Sequence, residues 1–191
     1  MNAAIRALAL LTFTTLFALT ANAEKADREQ VLRMSAKQGS AEGSKEVNVK
    51  RLEGDVLITQ GTMRITADHA IVRETDGIVI AELFGAGANQ VTFRQKRDGE
   101  SQFVDATADR AEYEDKSGVI KLFSKVHFKS AGDLVDSEYM QYNTNTEKME
   151  LRSQLPGAKP KAGPGESRVT FEIQPRAQSE KKRVESKTSE K

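Results

Sequence analysis

Two histidines, His69 and His127, are the side chains of this sequence best suited to transfer protons near neutral pH, and the chain contains no cysteine. Asp68 directly precedes His69 and forms an acid–histidine neighbour pair. Catalysis needs such groups to converge on one substrate atom, whereas adjacent residues of a β-strand point to opposite faces. The sequence also lacks the Gly-x-Ser-x-Gly, His-Glu-x-x-His and phosphate-loop motifs. We therefore predict no catalytic residue and no enzyme activity.

A short run of small residues followed by a polar or charged residue, usually an acid, recurs along the chain. The four copies are Ser35-Ala36-Lys37, Thr66-Ala67-Asp68, Thr107-Ala108-Asp109 and the degenerate Ser137-Glu138. Recurrence about every 30 to 40 residues is typical of one supersecondary unit stacked on copies of itself. A metal site would need the carboxylates clustered, and the loops that bind hard cations have a tighter spacing. We predict hydrogen-bonding roles for the acids at turns or strand ends, and no metal or cofactor.

The elements that carry these runs are predicted to be strands, because apolar and polar residues alternate from Val47 to Ile173. Asp76-Gly77, Asp98-Gly99 and Ser117-Gly118 indicate short hairpin turns, which join antiparallel neighbours. About a dozen short antiparallel strands without a helix can form a sandwich, a closed barrel or a jelly-roll. Repeats of hairpin size favour an elongated, rolled sheet. The fold class predicted from these patterns is all-β.

The two ends of the chain differ in composition from its middle. Residues 1–23 combine Arg6, an apolar run and Ala21-Asn22-Ala23, which is typical of a cleaved secretory signal peptide. Residues 24–175 are expected to form one exported domain that is held together by its core, since no disulfide can form. Residues 176–191 are basic and Ser-rich, which predicts a disordered tail. Export without a lipobox cysteine predicts a periplasmic location.

The run GDVLITQGTMRITAD at residues 54–68 closely resembles the OstA-like family of periplasmic lipopolysaccharide-transport proteins. Residues 32–36, 87–93, 108–113 and 168–175 resemble further strands of that family, in the same order. The resemblance implies a slightly twisted, V-shaped β-jelly-roll that is elongated and open at both ends. It also implies an apolar interior that holds the lipid A acyl chains of lipopolysaccharide. Copies are expected to join head to tail into a bridge from the inner to the outer membrane.

The same resemblance implies roles for individual residues. The lipid-binding groove is expected to be lined by Leu32, Met34, Val56, Ile58, Met63, Ile65, Val91, Phe93 and Tyr113. Two edge strands are expected to bind partners: 31–36, with Val31, Leu32 and Met34, would dock LptC, and 168–174, with Val169, Phe171 and Ile173, would dock the N-terminal domain of LptD. Asp115 departs from the family pattern, in which an apolar residue is frequent there, and Lys37 stands where an acid is usual. No cofactor is implied, because an ATP-driven transporter in the inner membrane supplies the energy.

Other functions stay open at this point. The chain could be another OstA-like module, similar to soluble LptC or to the N-terminal domain of LptD, or a purely structural periplasmic β-repeat protein. An enzyme acting on envelope lipids would have to use His69 or His127. Lys50, Arg64 and Arg94 could meet lipid phosphates, although exposed basic residues are usually only solvated. The full-chain charge is +1 and the folded part has no basic stripe, so no nucleic-acid partner is expected.

Overall fold

The computed structural model describes residues 27, 29–44, 46–159 and 168–175. The predicted signal peptide (1–23) and basic tail (176–191) lie outside the described residues. Within the described part of the chain, no helix is long and apolar enough to span a membrane.

Twelve antiparallel strands of the described residues form one hydrogen-bonded sheet, which confirms the predicted all-β fold. They are β1 (Arg33–Ser35), β2 (Gln38–Gly43), β3 (Val47–Gln60), β4 (Met63–Thr75), β5 (Ile78–Phe84), β6 (Val91–Lys96), β7 (Phe103–Ala108), β8 (Arg110–Glu114), β9 (Val119–Ser130), β10 (Asp133–Asn143), β11 (Met149–Arg152) and β12 (Thr170–Glu172). The expectation of short strands is wrong for β3, β4, β9 and β10, which have 14, 13, 12 and 11 residues.

The four long strands join two layers of the sheet, because each of them bends once near its middle. Layer one contains β2, β5, β8, β11 and segments 47–53, 69–75, 119–123 and 139–143 of the long strands. Layer two contains β1, β6, β7, β12 and segments 56–60, 63–67, 126–130 and 133–137. The inward faces of both layers share one core. The bends lie along one side, here called the corner. The hairpin turns at the far ends of the layers line the opposite side, here called the mouth.

The recurring runs of small residues lie at the corner. In three of these runs the buried residue before the bend is small, and the next buried inward residue follows three positions later, so the inward–outward alternation shifts by one. These pairs are Ala67 and Ala70, Ala108 and Ala111, and Ser137 and Met140. Small side chains fit here because the two layers diverge from the corner and leave little space beside it. Ser35-Ala36-Lys37 occupies the same place between β1 and β2.

The acids at the corner accept hydrogen bonds from the next bend. The Asp68 carboxylate accepts from the backbone N–H of Ala86. The Asp109 carboxylate accepts from Gln90 Nε2 at 3.1 Å and lies 3.1 Å from Lys125 Nζ. The hydrogen bond from Gln90, followed by the contact with Lys125, lowers the pKa of Asp109 even though slight burial opposes the shift. The predicted structural role of Asp68 and Asp109 is thereby confirmed.

In the first copy of the run, Lys37 stands in place of the acid and pairs with an acid at the neighbouring bend. Lys37 Nζ lies 2.7 Å from the Asp55 carboxylate, and the Lys37 N–H donates to the Gly54 carbonyl at 2.8 Å. Gly54 and Asp55 have φ angles of 76° and 49°, in the left-handed region. The pairing of β3 with β4 is irregular between Glu53 and Val56, so an extra residue lets β3 turn the corner.

A row of rings and guanidinium groups covers the outside of the corner. Its members pair directly across layer one: His69, Phe84, Arg110, Phe123, Tyr139 and Arg152. The rings of His69 and Phe84 stack at 4.8 Å, Arg110 Cζ lies 3.8 Å from the centre of the Phe123 ring, and the Phe123 and Tyr139 rings are 5.3 Å apart. Ring stacking and cation–π contacts therefore stabilise the corner from outside.

Two details of the strand prediction are wrong. β2 was not predicted, because none of its six residues has a large apolar side chain and all are exposed. Backbone pairing with β3 holds it in place. Segments 119–123 and 126–129 are expected as separate strands but form the single strand β9, which bends at Ser124 and Lys125 with φ angles of 62° and 51°.

Candidate functional site

The structure brings all nine predicted groove residues to the inward faces of the two layers. Seven of them are at most 2 % exposed: Val56, Ile58, Met63, Ile65, Val91, Phe93 and Tyr113. Leu32 and Met34 are partly buried and pack against the same core near the edge of layer two. An acyl chain that entered this interior would therefore have to separate side chains that now pack against each other.

Aromatic side chains make the central contact between the layers. Phe93 of layer two approaches Tyr142 of layer one edge-on, with 6.0 Å between ring centres. Phe128 approaches the same ring at 5.5 Å. Burial raises the pKa of Tyr142, so its phenol stays neutral beside the apolar interior. The sequence prediction missed Tyr142 and Phe128 as lining residues, although both follow the alternation of their strands.

A buried hydrogen bond joins the layers near the mouth ends of β3 and β8. Tyr113 Oη of layer one donates to Gln60 Oε1 of layer two at 2.9 Å. Gln60 Nε2 in turn donates to the Gln30 carbonyl at 3.2 Å. Asp27 covers the adjacent turn of layer two, because its carboxylate accepts from the N–H of Thr62 at 2.9 Å. The segment before β1 thus lies against the mouth edge of layer two.

An ion pair bridges the mouth further along. Arg97 follows β6 of layer two, and Glu147 lies in the turn between β10 and β11 of layer one. Arg97 Nη2 and Nε donate to Glu147 Oε2 at 2.8 and 3.1 Å, and the N–H of Asp98 donates to Oε1 at 3.0 Å. Burial disfavours the charge of Arg97, but the hydrogen bond and charge of Glu147, with help from Glu100, outweigh it and raise the pKa of Arg97.

Each open end of the jelly-roll has two edge strands, one from each layer. β1 and β2 pair only with β3, and β11 and β12 pair only with β10, among the described residues. β1 lies inside the predicted edge 31–36 and β12 inside the predicted edge 168–174, but both strands are shorter than expected. The sequence prediction missed β2 and β11 as edges.

Two of the three apolar residues of the predicted C-terminal edge are exposed. Phe171 is 57 % exposed and Ile173 76 % exposed. Phe171 pairs with the buried Val135, so it continues the inward face of layer two beyond the last covered strand. At the other end, Val31 is 63 % exposed, whereas Val169 is partly buried against the core. Of the six predicted edge residues, Val31, Phe171 and Ile173 are therefore the most accessible.

The histidines lie on the outer surface and not in the interior. His69 stacks on Phe84, while Asp68 accepts a hydrogen bond from the next bend. His127 Nδ1 lies 2.5 Å from Asp136 on the outer face of layer two, where both side chains are more than half exposed. The sequence prediction missed this pair, because the two residues meet only through the register of β9 with β10. Among the described residues, no group of three or more His, Cys, Asp or Glu side chains could hold a metal ion.

The basic residues considered for lipid phosphates have different surroundings. Arg94 pairs with Asp105 at 2.9 Å, and Lys50 pairs with Glu74 at 3.2 Å. Arg64 lines an open groove of about 760 Å³ on the outer face of layer two, together with Thr66 and Thr92. Arg64 therefore faces away from the apolar interior.

An apolar interior between two sheet layers that are open at both ends defines the class of this protein as an open β-jelly-roll of the OstA-like type. Residues 34–148 match the family model described as "LptA/(LptD N-terminal domain) LPS transport protein". This match spans more than half of the chain, and the chain belongs to that family of lipopolysaccharide-transport proteins. The resemblance of residues 54–68 to the family is thereby confirmed.

The fold is similar to that of LptH, "the LptA homologous periplasmic component of the conserved lipopolysaccharide transport device from Pseudomonas aeruginosa". The TM-score is 0.66 at 20 % sequence identity, and the likeness covers 78 % of this chain and 99 % of LptH. It supports the predicted jelly-roll fold. A comparison with curated proteins found no match.

Proposed function

We propose that this protein is a periplasmic bridge that binds lipopolysaccharide between its two layers and passes it from the inner to the outer membrane. The observation that carries the proposal is an inward apolar face that runs between the two edges of one sheet, where the edge strands have no further partner strand among the described residues. Such an interior favours acyl chains over water, since each buried CH₂ group contributes about 0.8 kcal/mol. No cofactor is needed, because the binding surface is apolar and the chain only guides the lipid.

The groove in this proposal is lined by the nine residues expected from the sequence, with Phe93 and Tyr113 in the centre. Phe93 lies in layer two and Tyr113 in layer one, so together they would contact an acyl chain from both sides. Tyr142 and Phe128 complete the aromatic wall. We also propose that the protein is not an enzyme, since both histidines lie outside this interior.

The edge strands support assembly with other jelly-rolls. An unpaired strand presents backbone N–H and C=O groups that another strand can pair with. In the proposal, the β1 edge docks LptC and the β12 edge docks the N-terminal domain of LptD. The two ends are unlike, so copies of this chain can also join head to tail into an open array. The exposed Phe171 and Ile173 would then be covered by the next subunit.

A photo-crosslinking amino acid at position 93 tests lipid binding. We expect a lipopolysaccharide adduct in cells when the probe replaces Phe93, which is 2 % exposed and faces inward. Thr92, its neighbour, lies on the opposite face of the same strand and provides the control, from which no adduct is expected. A variant at position 93 that folds and rescues growth without any adduct would exclude the interior as the lipid path.

Assembly is tested by light scattering over a range of concentrations. We expect a concentration-dependent series of oligomers for the mature chain and its loss when residues 168–191 are removed. Removal of residues 176–191 alone is the matched control, because it spares β12. We expect the mature chain to pull down LptC, and we expect this binding to be lost when Met34 in β1 is replaced with proline. Both results together would distinguish a bridge from a module similar to the N-terminal domain of LptD.

A substitution test addresses catalysis. Replacing His69 and His127 together with Ala is expected to leave lipopolysaccharide transport in cells unchanged. Loss of transport by a double variant that is present at normal levels would favour an enzymatic role.

A further inference from the structure

The mouth is the side of the jelly-roll through which the polar part of a bound lipid has to emerge. Packed sheet layers lie about 10 Å apart, and burying a polar saccharide among apolar side chains is costly. The corner offers no exit, because β3, β4, β9 and β10 cross it as continuous strands. A lipid whose acyl chains lie between the layers therefore keeps its headgroup in the mouth as it moves along the interior.

The ion pair of Arg97 and Glu147 lies across this route. It connects the turn after β6 to the turn after β10, so it joins the free ends of layer two and layer one. The Glu147 carboxylate accepts three hydrogen bonds, two from Arg97 and one from the backbone of Asp98. Charge-assisted hydrogen bonds of this kind are stronger than neutral ones. A headgroup cannot pass between the two turns while these bonds are made.

The pair also differs from the other ion pairs of the described residues. Both of its side chains are 26 % exposed, whereas Lys37 and Asp55 at the corner are 71 % and 74 % exposed. Lys121 and Glu112 are similarly shielded, at 35 % and 27 %, but they lie on neighbouring strands of layer one. Glu147 itself has a φ of 54°, a conformation that is uncommon for a residue other than glycine. The turn thus presents its carboxylate to the opposite layer.

We infer that Arg97 and Glu147 form a clasp that holds the mouth closed and has to open for each lipopolysaccharide molecule that passes. The inference rests on the proposed lipid path between the layers. It assigns the two residues a positioning role, since they hold the layers together and need not touch the acyl chains.

A covalent link between the two turns tests the clasp. The chain has no cysteine, so Arg97→Cys with Glu147→Cys introduces the sole thiol pair. A cleavable bifunctional thiol reagent suits this pair better than a direct disulfide, because two long side chains in contact hold their Cα atoms far apart. Glu112→Cys with Lys121→Cys, joined in the same way, is the matched control within layer one. The measurement is the rate of uptake of fluorescent lipopolysaccharide from detergent micelles.

Linking positions 97 and 147 is expected to slow uptake at least about tenfold, a factor that equals about 1.4 kcal/mol in a barrier. Cleaving the reagent should restore the rate, and the 112–121 link should leave it unchanged. Equal rates for the linked and cleaved 97–147 protein would overturn the clasp while leaving the lipid path intact. Failure of the cysteine-free chain to take up any lipopolysaccharide would instead remove the proposed function, and the clasp with it.

Two further variants keep the clasp testable if the cysteine pair misfolds. Glu147→Gln removes the charge and is expected to raise the uptake rate several-fold. The exchange Arg97→Glu with Glu147→Arg restores opposite charges across the mouth and should return the rate toward that of the unaltered chain. A rate that stays unchanged in Glu147→Gln, despite normal folding, would contradict the inference.

Discussion

The corner and the mouth lie on opposite sides of the same apolar interior, but different kinds of bond close them. Four unbroken strands, β3, β4, β9 and β10, cross the corner. Small inward residues fill it, and the row from His69 to Arg152 covers it from outside. The mouth is bridged by side chains, notably the hydrogen bond of Tyr113 with Gln60 and the ion pair of Arg97 with Glu147.

This difference indicates which side can open. A backbone crossing opens only if the sheet unfolds, whereas a side-chain hydrogen bond contributes about 0.5–3 kcal/mol and can break locally. A jelly-roll built in this way can separate its layers at the mouth while the corner keeps them aligned. The asymmetry fits the proposed path, in which lipid tails enter between the layers without unfolding of the sheet.

The largest expected effect comes from filling the corner. Ala108 is 0 % exposed at the point where the layers meet, so Ala108→Leu forces the packed neighbours apart. Overpacking of this kind costs about 1–3 kcal/mol, and we expect the upper part of that range in the free energy of unfolding measured with denaturant. Thr107→Leu on the outer face of the same strand is the control and should change it by less than about 0.5 kcal/mol. Equal losses for both variants would show that the corner is not the tightly packed side.

A smaller effect is expected from the buried bridge near the mouth. Tyr113→Phe removes the hydroxyl that donates to Gln60 while keeping the ring in the core. We expect a loss of about 1 kcal/mol in the free energy of unfolding, since one buried hydrogen bond is removed. Denaturant unfolding measures this loss, and a double variant with Gln60→Leu reveals the coupling between the two residues. Additive losses would mean that the bridge does not join the layers.

Removal of the ion pair at the mouth is expected to change the free energy of unfolding little, but to make local opening of the mouth easier. Glu147→Gln should lower the free energy of unfolding by less than about 1 kcal/mol, because its partly exposed side chains are screened by solvent. Hydrogen exchange should nevertheless become faster in the turns next to residues 97 and 147. Faster exchange at the corner instead of the mouth would contradict the conclusion that the mouth is the side that opens.

The smallest effect is expected from pH at the corner. The pKa of Asp109 is lowered, chiefly by the hydrogen bond from Gln90, so its ionised form stabilises the folded state above the ordinary value of 3.8. That contribution is lost as the pH falls through the lowered pKa. The melting temperature of the unaltered chain should exceed that of Asp109→Asn slightly near neutral pH, and the gap should close in acid. A gap that widens in acid would reverse the assigned sign.

The strands and the inward faces could be predicted from the sequence because both produce local patterns of residues. Val56 and Ile58 in β3, and Met63 and Ile65 in β4, occupy alternate positions, and a strand places such residues on one face whatever it pairs with. The runs of small residues were visible as repeats, although their place at the corner was not. β2 left no apolar signal at all, because backbone pairing with β3 is what holds it.

By itself, the sequence determined that this protein is all-β, that the nine predicted groove residues face inward, and where short runs of small residues recur. Only the tertiary structure decided that these runs form one corner, that His127 meets Asp136, and that Arg97 meets Glu147 across 50 positions of the chain. The physical reason is that alternation specifies the face of a single strand, whereas partners across the sheet depend on register and on the bends. Those bends turn one sheet into two layers, and only then does a mouth exist for side chains to close.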